Sequence, residues 1–269
     1  MGRRSEKLVA MQDASANGQQ LSDVVQVVAR AFDVMRCFDA SHRSLANGDI
    51  CQITQLPPST VSRLTQTLTA IGQLSYSPKE RRYQLGTAAL AMSSSWLRGL
   101  KSRSVIRSLM MELAEEVPGI IAMTVRNGFD MVLIECCRSE NTIGVFSEVG
   151  SHRSVAHTAS GRAYLLAQPA PKREQFLNEL GRKSPADARK LSAWLKKNEA
   201  LFKAHGITTA SGEDHPHING IAVPVWSQDQ ADYFILSIGV ITNVYSVDAL
   251  RKEAGPKLIA LRDKIETWL

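Results

Sequence analysis

The stretch LPPSTVSRLTQTLTAIGQL, residues 56–74, decides the fold. Pro58 suits the first turn of a helix, where a missing amide hydrogen costs little, and Gly72 ends the run. Val61, Leu64, Leu68 and Ile71 recur at helical spacing and predict an inward stripe, while Ser59, Ser62, Arg63 and Gln66 fall together on the opposite side. That polar side carries hydroxyls, an amide and a guanidinium, and no acid.

The flanking segments give this helix a context. Upstream, SDVVQVVARAFDVMRCFDA places Val28, Ala31, Phe32, Met35 and Phe38 on one face of a helix, with Ser22 as its N-cap. ANGDICQIT predicts a short helix capped by Asn47, with Ile50 and Ile53 inward, broken at Gln55-Leu56-Pro57. Downstream, LSYSPKERRYQL predicts a hairpin whose tip carries Lys79, Arg81 and Arg82. The order of helix, short helix, turn, polar-faced helix and basic hairpin is that of a winged helix-turn-helix, whose second helix enters the DNA major groove. Hydroxyls and Gln read base edges, Arg forks onto guanine or phosphate, and acids are repelled by the backbone. The polar face is therefore explained by double-stranded DNA, and the apolar stripe by the domain's own core.

Composition agrees. The chain has 269 residues and a net charge of +6, long enough for two domains. Residues 1–100 hold 11 Lys/Arg against seven Asp/Glu, whereas residues 101–269 hold 21 against 19, so the excess sits in the smaller N-terminal part. No apolar run reaches the ~18 residues of a membrane span, and the first residues lack a signal peptide's apolar core; a cytoplasmic protein with no membrane partner is expected. Cys37, Cys51, Cys136 and Cys137 follow no metal-binding spacing and predict reduced, mostly buried thiols, the adjacent pair alternating sides on a strand.

Residues 1–20, polar and aperiodic, predict a flexible arm, and 21–86 the DNA-binding domain. Residues 87–100, LGTAALAMSSSWLRGL in context, predict a linker helix with an exposed apolar stripe of Ala89, Met92 and Trp96 suited to pairing subunits. Residues 101–269 mix elements: an amphipathic helix in SVIRSLMMELAEEV, a strand pair around Asn127-Gly128, a strand in NTIGVFSEVG, helices in TASGRAYLLA and at 186–204, strands in INGIAVPVW and YFILSIGVI, and a closing helix at 247–268. Antiparallel strands with segregated helices predict an α+β domain.

With RAFDVM, LPPSTVSRLTQTL and RRYQLG in the first part, and VGSHRSVAHTASGRAYLLA and GEDHPHINGIAVPVW in the second, the sequence resembles the IclR family of bacterial transcription regulators from about residue 25 to 265. The resemblance implies a winged helix-turn-helix, a linker helix, a GAF-like effector-binding domain, and a homodimer or dimer of dimers on a palindromic operator, more commonly as a repressor than an activator. It places Arg30 near the DNA backbone, and Ser59, Thr60, Ser62, Arg63 and Gln66 on the recognition helix. It assigns the effector pocket to segments matching Ala156–Gly161, Ser211–Gly220 and Leu236–Gly239. The sequence departs where Ser154, Val155 and Ala156 stand for Pro-Leu-His, where His157 follows, and where Gly239 replaces a frequent serine.

From these segments, His157, Thr158, Ala159, Ser160, Gly161, Asn219, Gly220, Leu236, Ser237 and Gly239, with walls from Phe146 and Met123, form the expected effector site. Hydroxyls and amides in an apolar cleft suit a small organic acid, and the room left by Gly239 favours an aromatic one. No metal or cofactor is expected: His215 and His217, near Glu213 and Asp214, are separated by Pro216 and lack further ligands at helical spacing. A hydrolase built on Ser237, Ser160, His157 and Glu213, or on Cys136 and Cys137, lacks any supporting motif, so the chain is not expected to be an enzyme. An architectural DNA-binding protein whose second domain only oligomerises remains the other alternative.

Overall fold

The computed structural model describes residues 25–39, 41–100, 102–140, 142 and 147–269. The expected arm, the Ser22 cap, Phe146 and much of the strand expected at 141–150 lie outside these residues; 147–150 form an irregular turn. The chain divides into two compact units, one on either side of the boundary between residues 101 and 102.

The first unit holds α1 (Gln26–Met35), α2 (Asn47–Thr54), α3 (Pro58–Ala70), the hairpin β1 (Leu74–Ser77) and β2 (Arg82–Leu85), and α4 (Thr87–Gly99). A left-handed Gln55, φ 57°, closes α2, and Pro57 and Pro58 start α3 at its N-cap and first turn. Val34, Phe38, Leu45, Ile50, Val61, Leu64, Leu68 and Leu74 form the core. Its small size corrects the expected stripes: Val28, Phe32, Ile53 and Ile71 are exposed rather than inward. Cys37 and Thr65 are buried in their stead. Asn47 is not a cap. Ala46 occupies that position, its amide donating to Asp49 at 2.9 Å, and Asn47 instead accepts from Thr65 Oγ1 and donates to Ser62 Oγ, both at 3.2 Å. Two helices of the motif are thus pinned by polar contacts as well as by the core.

The second unit carries α5 (Arg103–Glu116), β3 (Ile120–Asn127), β4 (Asp130–Arg138), β5 (His152–Ser154), α6 (Ala159–Ala167), α7 (Ala170–Lys183), α8 (Pro185–His205), β6 (Thr208–Ser211), β7 (Ile218–Ser227), β8 (Asp232–Ile241), α9 (Val247–Glu253) and α10 (Gly255–Glu266). Its strands form one antiparallel sheet in the order β5-β4-β3-β8-β7-β6. The β3–β4 turn has Gly128 and Phe129 at its centre, one residue later than expected, since Asn127 pairs with Asp130. Gly128 takes φ 62°, as a hairpin with glycine first requires.

The helix α6 packs on one face of the sheet, with Ala159 and Ala163 against Ala222 and Ile235; α5 and α10 pack on the other. A β-bulge in β4 sorts side chains between those faces. Leu133 pairs with Thr124 and Glu135 with Met123, so Ile134 is an extra residue and its two neighbours point to opposite faces. Leu133 joins Ile120 and Ala122 on the α6 face. Glu135, 2% exposed, receives Arg107 Nη1 at 2.5 Å and lies 2.9 Å from Arg103 on α5. Cys136 and Cys137 alternate sides as expected: Cys136 packs near Ile120 and Ala122, and Cys137 Sγ lies 3.6 Å from Arg107 O. Burial pushes the Cys137 thiol up to about 11, and the cysteines are free.

Candidate functional site

The first unit presents α3 with Ser59, Ser62, Arg63 and Gln66 exposed and Thr60 half-buried. The helix contains no acid. Lys79 and Arg81 stand exposed in the hairpin turn, Arg81 in a left-handed conformation with φ 54°, and Arg30 is exposed on α1. Arg82 differs. It lies on β2 rather than at the tip, and both its Nη atoms donate to Asp49 Oδ2, at 3.1 and 3.0 Å. At the far end of α3, Gly72 takes φ 77° and Gly86 approaches so closely that a Cβ there would sit 2.1 Å from Gly72 O. The start of α4 is thereby held against the end of α3.

The second unit contains a cavity of about 130 Å³ on the α6 face of the sheet. Ile120, Ala122 and Thr124 from β3, Met131 and Leu133 from β4, Gly220 from β7 and Ser237 and Gly239 from β8 line it, together with His157, Thr158, Ala159 and Ser160. Arg153, Glu213, Asp214 and His215 also line it, and Arg153 reaches toward Ser147 beside them. The segment 157–160 is the entry to α6. Thr158 caps this helix, its Oγ1 accepting from Gly161 N at 3.0 Å and donating to Ser154 O at 2.9 Å. The amides of Ala159 and Ser160 have no acceptor among the described residues, and amides in a helix's first turn attract anions.

Charges around the cavity are mostly committed. Arg162, 4% exposed, donates to Thr209 O at 2.7 Å and to Glu213 Oε1 at 2.9 Å, and lies over the Trp194 ring at 4.3 Å. Burial pulls its pKa below the ordinary arginine value, and Glu213 opposes this. The other Glu213 oxygen accepts from the Ser211 amide. His157 Nε2 lies 3.3 Å from Asp187, whose carboxyl is held below the usual range by the Ser184 hydroxyl and then by His157.

Against this geometry stand the comparisons. Residues 95–267 match the family model described as bacterial transcriptional regulator IclR C-terminal, and residues 27–78 match the IclR helix-turn-helix domain. The chain belongs to the IclR family. The HTH-type transcriptional regulator TsaQ1/TsaQ2 of Comamonas testosteroni is 26% identical over 243 residues, 87% of this chain and 85% of the relative. An IclR-family regulator from Brucella abortus superposes with a TM-score of 0.81 at 29% identity, covering 92% and 94% of the two chains. An IclR homologue from Microbacterium hydrocarbonoxydans, solved with 4-hydroxybenzoate, shares the fold at 22% identity with a TM-score of 0.72, covering 90% and 98%. These relatives are regulators, not enzymes. The α+β architecture, with its helix-turn-helix and antiparallel effector domain, is the one expected, and no described helix is long and apolar enough to cross a membrane.

Within this IclR chain, the structure gathers some expected effector residues and disperses others. His157, Thr158, Ala159, Ser160, Gly220, Ser237 and Gly239 line one cavity. Asn219 does not: 4% exposed, it accepts from Ser211 Oγ at 2.8 Å and donates to Tyr245 O at 2.7 Å. Leu236 and Met123 pair with each other on the opposite face of the sheet, because alternate residues of a strand face opposite ways. Gly161 is a packing glycine, since a Cβ there would meet Val155 O at 2.1 Å. Phe146 lies outside the described residues. The His215 and His217 rings lie 6.1 Å apart between centroids, tilted by 58°, and no metal-type group of three or more His, Cys, Asp or Glu occurs among the described residues. Sequence reasoning missed Arg153, Thr124 and Leu133. Arg153 lies on a three-residue edge strand too short to show periodicity, and the face of Leu133 depends on the bulge.

Proposed function

We propose that this IclR regulator represses transcription by binding a palindromic operator as a homodimer or dimer of dimers, and that a small aromatic acid in the 130 Å³ cavity releases it. In this reading residues 21–86 bind DNA, with Ser59, Thr60, Ser62, Arg63 and Gln66 of α3 toward the major groove, and with Lys79, Arg81 and Arg30 toward the backbone. Leu90, Met92 and Trp96, exposed on α4, which has no buried residue, supply the apolar surface through which subunits pair. Repression is the commoner behaviour of the family.

The observation that carries the effector reading is the pairing of two unacceptored helix amides with an apolar floor in one cavity. The amides of Ala159 and Ser160, with the Ser237 hydroxyl, suit a carboxylate; Ile120, Ala122 and Leu133 suit a hydrocarbon body. Size agrees, because an apolar cavity of roughly 150 Å³ takes up benzene. The 4-hydroxybenzoate held by the Microbacterium relative is an acid of this class. The test is calorimetry with benzoate and 4-hydroxybenzoate against glyoxylate and pyruvate, on wild type and Ser237→Ala, followed by anisotropy of labelled promoter DNA with the tightest acid. Preference for the smallest acids would remove the aromatic reading, and an acid that binds the protein yet tightens its hold on DNA would reverse the sign of regulation.

A further inference from the structure

An ion pair on the cavity wall links opposite sides of the sheet. Arg153 belongs to β5, one edge strand, while Asp214 lies in the connection between β6, the opposite edge strand, and β7. Yet Arg153 Nη1 is 3.5 Å from Asp214 Oδ2, so this one contact joins an edge strand to the loop that follows the opposite edge strand. Among the described residues the other polar contact of Arg153 is a hydrogen bond from Nη2 to Ser147 Oγ at 3.2 Å. Both members of the pair line the cavity.

This pair differs from its neighbours in strength. Glu213 is bound at 2.9 Å by the buried guanidinium of Arg162, and His157 is turned to Asp187. The Arg153–Asp214 contact is longer than a normal hydrogen bond, single rather than bidentate, and partly solvated, with side chains 37% and 26% exposed. Pairs of this kind contribute little, whereas a guanidinium gripping a carboxylate with two parallel N–H donors makes a stronger, directional contact. Asp214, once released, is able to recover hydration.

We propose that Arg153 is the specificity-determining cation of the effector site: it exchanges Asp214 for an anionic group of the ligand, so that acids are accepted over neutral molecules of the same shape. This rests on the reading of the cavity as an acid site given above.

The experiment is calorimetry of the full chain with benzoate and 4-hydroxybenzoate, each paired with its neutral amide, on wild type, Arg153→Met, Arg153→Lys, Asp214→Asn and Leu133→Ala. Arg153→Met is expected to weaken the acids by about 10- to 100-fold and to leave the amides within about twofold, erasing discrimination; Arg153→Lys retains part of it. Asp214→Asn, which removes the competitor, tightens the acids several-fold. Leu133→Ala weakens acids and amides alike. Acid affinity unchanged in Arg153→Met while Leu133→Ala lowers it would overturn the role of Arg153 and leave the acid site standing. No binding of any acid to wild type would overturn both.

Discussion

Arg82 places both Nη atoms on one carboxylate oxygen of Asp49, at 3.1 and 3.0 Å, and so ties the wing of the DNA-binding unit to its short helix. A cation that sequence alone assigns to the phosphate backbone is thus already neutralised within the fold.

DNA affinity should separate the basic residues accordingly. Lys79→Ala is expected to lower the slope of log K against log salt by about 1, on specific and random duplexes alike. Arg82→Ala should lower it by less, since its charge is shared with Asp49. Arg63→Ala should weaken the specific site by about 1–3 kcal/mol with little effect on random DNA. Anisotropy titrations at several KCl concentrations give all three numbers; an equal slope change for Arg82→Ala and Lys79→Ala would mean that the Asp49 pair opens on DNA.

Two members of the α3 stripe, Leu64 and Ile71, should behave oppositely. Leu64 is 7% exposed and Ile71 is 60% exposed. Leu64→Asp is expected to unfold the first unit, because it places an unpaired carboxylate in a small core. Ile71→Asp should change stability by no more than about 0.5 kcal/mol. Circular dichroism melts of both variants check the pair, and a folded Leu64→Asp would show that the stripe had been read inside out.

What was legible in the sequence follows physical range. Pro58, the Val61–Leu64–Leu68 spacing and the polar face of α3 are set by neighbours within one helix, and the helix-turn-helix follows from them. The α7 segment APKREQFLNELGRK was missed because its apolar positions are sparse, with only Phe176, Glu179 and Leu180 buried. The closing helix is really α9 and α10, parted at Ala254 before Gly255-Pro256. In the cavity, Ser237 and Thr158 to Ser160 were within reach of motif reasoning. Asn219 was misplaced, and Arg153 overlooked, because the face of a strand residue is fixed by its register in the sheet, which local sequence does not contain.

A buried carboxylate offers a pH test. Glu179 is 6% exposed; Gln175 donates to its Oε1 at 3.1 Å, and its Oε2 has no hydrogen-bond partner among the described residues. Burial raises its pKa above the ordinary glutamate value, outweighing the Gln175 hydrogen bond and the charges of Arg126 and Arg182. A folded-state pKa above the unfolded one favours the fold at low pH, and that advantage is lost as pH rises through the folded value. Glu179→Gln should therefore stabilise the protein by about 1 kcal/mol at pH 7 to 8, and the gain should vanish as pH falls below about 4. Melting temperatures of both proteins across pH 4 to 8 check this; a constant difference would assign the effect to packing.

Two glycines expected at the effector site should respond differently to a methyl group. At Gly161 a Cβ would collide with Val155 O at 2.1 Å, whereas at Gly239 the nearest atom, Ile218 Cγ2, is 3.8 Å away. Gly161→Ala is expected to cost about 1–3 kcal/mol and to disturb the α6 entry. Gly239→Ala should fold normally and weaken aromatic acids more than two-carbon ones, because it takes room from the cavity. Thermal melts and calorimetry on both variants decide; an unaltered size preference in Gly239→Ala would place the ligand elsewhere.

The bulge at Ile134 gives β4 something like a reading frame. Leu133 reaches the cavity and Glu135 reaches Arg103 and Arg107 because of chain length alone, one residue more on β4 than on its partner. Substitution at Ile134 changes a side chain but leaves that parity intact. Removing the residue would turn every position on one side of it through half a pleat, presenting a carboxylate where the hydrocarbon wall now stands or a leucine where two guanidinium groups now meet. A relative that drops a residue here would thus have to rewrite the chemistry of both faces at once, and the length of this strand is under a constraint that no scan of single substitutions would reveal.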